Sequence, residues 1–222
     1  EAISRLLSQM PVFIATGREP ADVLRYSKEL GLTTLQVSDG GANILDPVRG
    51  VSVWTAPLGP ANAEAVVTKL REMGSAFVAT HASGTASTFD DVPDWDLIRV
   101  SALDLDEAAA DVLVNSFQGN QDMHVIKAVL PYNGLWAVDF TLAGVDKAAG
   151  VARVGESLGV DVANMVAVGD SYNDLPMLKA CGFAVAMGNS PDEVKAASDF
   201  VAPTVAEDGL AVAIIDYVLP RL

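Results

Sequence analysis

Histidine and cysteine are nearly missing from this 222-residue chain, which has two of the first and one of the second. His81 and His124 stand far apart in unlike contexts and do not form a metal pair, although His81, in its loop, could reach a ligand. Cys181 alone cannot close an internal disulfide, and between Ala180 and Gly182 it reads as a small buried hydrophobe in a reducing compartment. Positive charge is scarce too: 14 Lys and Arg stand against 29 Asp and Glu, a formal charge of −15. An acidic field of that size repels polyanions, which excludes nucleic acid and an anionic membrane as partners. No run approaches the ~20 apolar residues of a membrane span, and the first residues lack a signal peptide's basic start. The expectation is a soluble, cytoplasmic protein. Aromatics make up only 6%, so Trp54, Trp95 and Trp136 near strand ends read as core.

Half of the chain is hydrophobic, enough for one large domain or a domain carrying an insertion. The most informative stretch runs from Met165 to Asp174. Met165 to Val168 reads as a strand buried on both faces, and Gly169 then lets the backbone turn so that Asp170 stands at its carboxyl end. Open α/β sheets bind ligands at that end. Asp170 and Asp174, four apart before the helical Leu175 to Lys179, can face one crevice, and paired acids there suit a hard cation such as Mg2+. Taken alone, Asp170 at a strand-to-helix turn is equally a good N-cap.

In chain order, Ile3, Leu6, Leu7 and Met10 have helical spacing, with no capping residue before them. This start in mid-helix leads to the expectation that a further segment precedes residue 1. Val12 to Ala15 reads as a short buried strand delivering Thr16-Gly17-Arg18. Pro20 opens a helix ending near Gly31, and Thr33 to Val37 is a strand before the turn-rich Ser38 to Asn43. Residues 54–139 change pattern: helix 60–73, strand 75–80, loop 81–94, strand 95–103, helix 106–117. A hairpin follows, 123–130 and 135–142, around Pro131-Tyr132-Asn133-Gly134. Lys147 opens a helix stopped by Gly159. After the central strand come strand 183–187, a capping box at Ser190 to Glu193 with Pro191 first in the helix, strand 199–202 and a closing helix 209–219. Strand and helix alternate in both outer segments, which implies a doubly wound parallel α/β sheet.

Gly169-Asp170-Ser171-Tyr172-Asn173-Asp174, with Thr16-Gly17-Arg18 upstream and Lys147 between, resembles the haloacid dehalogenase superfamily, most closely its Cof-type phosphatases. The resemblance implies a Rossmann-like core, residues 1–53 and 140–222, and an inserted α/β cap, residues 54–139, that selects substrates. It implies hydrolysis of a small phosphorylated metabolite with Mg2+ as cofactor. Thr16 and Gly17 would hold phosphate, Lys147 would neutralise charge around the transferring phosphoryl, and Asp170 would bind the metal. Asn173 and Asp174 would support them, Asp174 acting on the metal through water or by orienting neighbours. Asn189 falls where the family often has Asn near the site, and the role of Arg18 stays open. A Lys opening a helix opposes the macrodipole, so it is tolerable there only if it points to anions; the alternative is an exposed surface lysine.

The family's first motif, a strand ending in a nucleophilic Asp with an acid Asp two residues on, is not in this chain. Asp104-Leu105-Asp106 lies inside the insertion and reads as a helix cap, and Asp94-Trp95-Asp96 precedes its strand. The expectation is that both catalytic Asp residues lie upstream of Glu1 and that the 222 residues alone are inactive or nearly so. The alternatives are a non-catalytic phosphate-binding or regulatory protein and a phosphomutase. Substrate identity and oligomeric state are not legible in the sequence.

Overall fold

A computed structural model describes residues 1–130 and 132–221. Helix α1 (Ala2–Leu7) buries Ala2 and Leu6 against Ile214 and Val218 near the far end of the chain. Residues 12–15, expected as a buried strand, are paired on one side only among the described residues. Ala15 bridges Val37 in parallel, with Val37 N–H donating to Ile14 O at 2.9 Å and Thr16 N–H to Val37 O at 3.1 Å. Helix α2 (Pro20–Leu30) starts on proline, whose fixed φ suits a first turn, and stops at Gly31 with φ 71°. Strands β1 (Gln36–Ser38), β2 (Asn43–Asp46) and β3 (Val51–Thr55) then form an antiparallel sheet. Pairing with β2 begins at Gln36 and not at Thr33, and toward residues 12–15 the Gln36 side chain stands in for backbone pairing. Its Oε1 accepts from Ile14 N–H at 2.8 Å and its Nε2 donates to Thr34 O at 2.6 Å.

The insertion comprises α3 (Pro60–Met73), β4 (Ala76–His81), β5 (Gly84–Ala86), β6 (Leu97–Leu105), α4 (Glu107–Phe117), β7 (Met123–Val129) and β8 (Trp136–Leu142). Its antiparallel sheet runs β5-β4-β6-β8-β7. Residues 84–86, expected as loop, fold back on β4 as a hairpin strand. Pro131 of the expected β7–β8 turn lies outside the described residues. The period of two sorts the faces: Phe77, Ala79, Val100, Ala102, Val138 and Phe140 pack with residues of α3 and α4. Thr80, Arg99, Ser101, Asp139 and Thr141 stay outside that cluster. Asp106 caps α4, accepting from Ala109 N–H at 2.7 Å. The expected boundaries at 53/54 and 139/140 fall inside β3 and β8, since paired strands continue past the change in composition.

The core resumes with α5 (Lys147–Leu158), capped by Asp146, whose Oδ1 accepts from Ala149 N–H at 2.9 Å, and ended by Gly159 at φ 67°. Strand β9 (Val166–Gly169), α6 (Leu175–Ala180), β10 (Phe183–Ala186), α7 (Asp192–Ala196), β11 (Phe200–Val201) and α8 (Gly209–Val212) follow. β9, β10 and β11 are parallel, with a helix in each crossover. The expected capping box at Ser190 does not form. Pro191 takes the N-cap position, so Ser190 falls one residue too early, and its buried Oγ has no partner among the described residues. The closing helix is α-helical only to Val212; residues 213–218 widen into π-type turns beside α1. Among the described residues no helix is long and apolar enough to cross a membrane.

Two strand edges face each other across the core without a pairing partner among the described residues. Ile14 and Thr16 turn their backbone groups toward β1, which leaves those of Phe13 and Ala15 on the opposite side. On β9, Met165 O and Gly169 O accept from Phe183 and Met187, so Val166 and Val168 turn away from β10. Between them lies a cavity of about 360 Å³ lined by Phe13, Ala15, Met165, Val166, Val168 and Met177. The apolar residues of the core fall into separate clusters around this slot, whereas most of those of the insertion form one and Ile98 of β6 packs with Ala42 and Val145 of the core.

Candidate active site

The loop after residues 12–15 and the loop after β9 end on the same side of the core. A Cβ at Gly17 would lie 3.9 Å from Asn173 Nδ2, so the two loops approach each other to within the room of one side-chain carbon. The Thr16 loop is tied to the 39–41 turn: Gly40 N–H donates to Thr16 O at 3.0 Å and Asp39 N–H to Arg18 O at 3.0 Å. Thr16 Oγ1 accepts from Arg18 N–H at 3.2 Å.

Helix α5 reaches this corner because Gly41 lets it. With φ 108°, Gly41 approaches so closely that a Cβ would stand 1.9 Å from Asp146 O. Lys147 is thereby delivered at the first turn of α5 and buried, its Nζ donating to Asp174 Oδ1 at 2.5 Å and Asn173 Oδ1 at 3.0 Å. A cation at a helix start is unfavourable by itself; the buried Asp174 carboxylate offsets it.

Asp174 fits beneath the loop because Gly169 has no side chain; a Cβ there would stand 2.5 Å from Asp174 Cβ. Its Oδ2 accepts from Asp170 N–H at 2.9 Å and Ser171 N–H at 3.0 Å, so both carboxylate oxygens are engaged. Ser171, not Asp170, caps the helical turn, in a capping box with Asp174. The Asp170 carboxylate therefore accepts no hydrogen bond from another residue among those described. Desolvation, and next the Asp174 charge, hold it above the usual carboxylate range, while the Lys147 ammonium acts in the opposite direction.

Arg18 turns from this corner, its Nη1 donating to Asp22 Oδ2 at 2.9 Å on the surface of α2. Asn189 spends its Oδ1 on Val205 N–H at 3.2 Å. The structure brings together Gly17, Lys147, Asn173 and Asp174, with Thr16 and Asp170 adjoining, and leaves Arg18 and Asn189 outside.

Sequence reasoning missed the polar face of the insertion. Arg99 is buried, its Nε donating to Asp39 Oδ1 at 3.1 Å and its Nη1 to Asp139 Oδ1 at 3.0 Å and to Ser101 Oγ. Burial opposes its charge, yet Asp139 and Asp39 more than offset this and raise its pKa. Asp39, fully buried at φ 51°, also accepts from Thr80 Oγ1 at 2.8 Å and Ser38 Oγ at 2.9 Å. Arg99 and Thr80 thus bind the insertion to the core loop. The signal was present as alternation, Arg99 and Ser101 among the apolar residues of β6, and Asp139 and Thr141 on β8.

A strand-end Thr-Gly turn, a buried Lys held by Asn and Asp, and an unpaired Asp beside them can cradle an anion and a hard cation together. Residues 1–122 and 124–214 match the haloacid dehalogenase-like hydrolases. The putative phosphatase YkrA of Bacillus subtilis is 31% identical over 219 residues, covering 91% of this chain and 82% of that protein. The Bacillus subtilis 5-amino-6-(5-phospho-D-ribitylamino)uracil phosphatase YcsE is 45% identical over 82 residues, 37% of this chain and 33% of its own length. Among solved structures, a haloacid dehalogenase-like hydrolase from B. subtilis superposes with TM-score 0.83 at 19% identity, covering 96% of this chain and 90% of that one. The subclass IIB sugar phosphatase BT4131 gives 0.81 at 18%, with coverage of 98% and 90%. These similarities in structure establish the same α/β core with an inserted cap. With its motifs in order and its match extending through both core segments and the insertion, this chain belongs to the haloacid dehalogenase-like hydrolase family.

Proposed function

We propose that the protein is a phosphomonoesterase for small phosphorylated metabolites, with Mg2+ as its cofactor and an aspartyl-phosphate intermediate. Thr16, Gly17, Lys147 and Asn173 hold and neutralise the phosphate. Asp170 holds the cation, and Asp174 orients Lys147 and the Asp170 backbone. The donor set supports a hard, water-bound cation: one carboxylate without a partner and a second wholly engaged. Among the described residues no group of three or more His, Cys, Asp or Glu stands together, so a cation here would be held by Asp170 with few protein ligands beside it. When bound, the cation offsets negative charge on the phosphoryl oxygens.

The carrying observation is the slot, whose two unpaired edges run out at Thr16 and Asp170. An apolar strand lying there would end between the phosphate-binding loop and the cation-binding carboxylate. The nucleophilic Asp and the Asp that protonates the leaving-group oxygen belong on such a strand, outside these 222 residues. The names of YcsE, a phosphatase, and YkrA, a putative phosphatase, support the reading.

The test is Mg2+-dependent hydrolysis of p-nitrophenyl phosphate by the 222-residue chain and by a form extended with an apolar strand ending in Asp-x-Asp. The chain alone is expected to match an Asp170→Asn background, and the extended form to turn over. Turnover by the 222-residue chain well above that background would overturn the assignment.

A second expectation concerns the cation and pH. Because the Asp170 pKa lies above its usual 3.8, the folded state holds that proton after the unfolded state has released it. Stability from this group is therefore lost as pH rises from 3.8 through the raised value, and a cation at the carboxylate opposes the loss. At ten times its Kd, Mg2+ should add about 1.4 kcal/mol to unfolding at neutral pH. Thermal unfolding should show that gain in the wild type and none in Asp170→Asn; equal gains would place the cation elsewhere.

A further inference from the structure

The turn at residues 39–41 holds no phosphate itself, yet the phosphate-binding groups hang on it from two sides. Gly40 N–H donates to Thr16 O and Asp39 N–H to Arg18 O, each at 3.0 Å, which fixes the backbone on either side of Gly17. Gly41 packs on Asp146 O, where α5 and Lys147 begin. The turn is costly to form: φ is 51° at Asp39, 67° at Gly40 and 108° at Gly41, all in the left-handed half. Glycine enters it freely, whereas at Asp39 something must hold the backbone there. The Asp39 carboxylate does so. It is fully buried and accepts from four side chains. Ser38 and Asn43 of the core donate to Oδ2, at 2.9 and 3.3 Å. Thr80 and Arg99 of the cap donate to Oδ1, at 2.8 and 3.1 Å. One oxygen is thus held by the core and the other by the cap, and among the described residues the cap supplies the cation.

We propose that Asp39 is a positioning residue for the phosphate site: it holds the Thr16–Arg18 loop and the start of α5 in place only while Thr80 and Arg99 of the cap grip its Oδ1. A buried carboxylate that loses those donors is driven toward water. Its side chain and its backbone share one Cα, so that movement carries the N–H groups of the turn, and with them the loop around Gly17. Seating of the cap and affinity for phosphate are then one linked equilibrium, each strengthening the other by the same factor. A clasp that only fastened cap to core would lose stability when cut and leave phosphate affinity unchanged.

The inference rests on the phosphate-binding reading of Thr16, Gly17 and Lys147, and two substitutions at Thr80 separate the two. Thr80→Val keeps the shape of the side chain and removes its hydroxyl; Thr80→Ser restores the donor. Calorimetry with inorganic phosphate in MgCl2 on the 222-residue chain should show affinity about 5-fold weaker in Thr80→Val, the value of one neutral hydrogen bond, and near wild type in Thr80→Ser. In proton–nitrogen correlation spectra recorded without phosphate, the amides of Gly17 and Glu19 follow the two carbonyls that the turn binds. They should shift in Thr80→Val and return in Thr80→Ser. Wild-type phosphate affinity or unmoved amides in a folded Thr80→Val, whatever its Tm, overturns the role of Asp39 and leaves phosphate binding intact. Equal losses in the two variants overturn it as well, since the hydroxyl would not be the cause. Failure of the wild type to bind phosphate overturns the phosphate reading, and moved amides would then assign Asp39 to the fold alone.

Discussion

Replacing Arg99 with Met is expected to cost about 3–5 kcal/mol, because it strands the buried Asp39 carboxylate without its cation. Asp39 would keep its bonds from Ser38, Asn43 and Thr80, which supply dipoles but no charge. The cost should appear as a fall in Tm of roughly 6–20 °C for a domain of this size. The cause is the orphaned charge and not lost packing, so Arg99→Met combined with Asp39→Asn should recover most of the loss. Asn tolerates the left-handed backbone at φ 51° and keeps an acceptor for Thr80. A single variant losing under about 1 kcal/mol would mean that water reaches this cluster and screens it. Arg99→Lys should also fall short, since an ammonium cannot span Asp39 and Asp139 with the geometry of a guanidinium fork.

Lys147→Met should combine two losses. Asp174 becomes a buried carboxylate held only by the Asp170 and Ser171 N–H groups, at a cost of about 3 kcal/mol or more. Phosphate affinity should fall roughly 10- to 100-fold, the range for one charge-assisted contact. The double variant Lys147→Met with Asp174→Asn separates the two. It should regain stability, since Asn can accept both N–H groups, and should still bind inorganic phosphate poorly. Restored phosphate affinity in that folded double variant would make Lys147 a structural counterion of Asp174 and nothing more.

Much of the fold was legible because its signals are short in range. Asp106 and Asp146 cap helices where Asp precedes a helical pattern, Gly31 and Gly159 end helices, and the alternating apolar residues of β4, β6 and β8 mark their strands. The cluster Thr16, Lys147, Asn173 and Asp174 was named from motif order; Lys147 bonds Asn173 and Asp174 directly, and Gly17, next to Thr16, lies near Asn173. Local rules failed where two residues compete for one role. Ser171 and Asp170 are both good caps, and only the position of Asp174 beneath Gly169 gives the task to Ser171 and leaves the Asp170 carboxylate free. At Ser190 the same rule overreached, because Pro191 itself became the N-cap.

The sequence by itself determined most of the helices and strands and their order, and marked which strand ends carry polar loops. Each follows from neighbours within a turn or two, through backbone sterics, capping and periodicity. Tertiary structure decided which faces meet. Arg99 finds Asp39 across 60 positions and Asp139 across 40 because the cap sheet docks its polar face on the core loop. The slot has the same origin: Val12 to Ala15 reads as an ordinary buried strand, and whether its second edge finds a partner depends on a neighbour that its own residues do not specify.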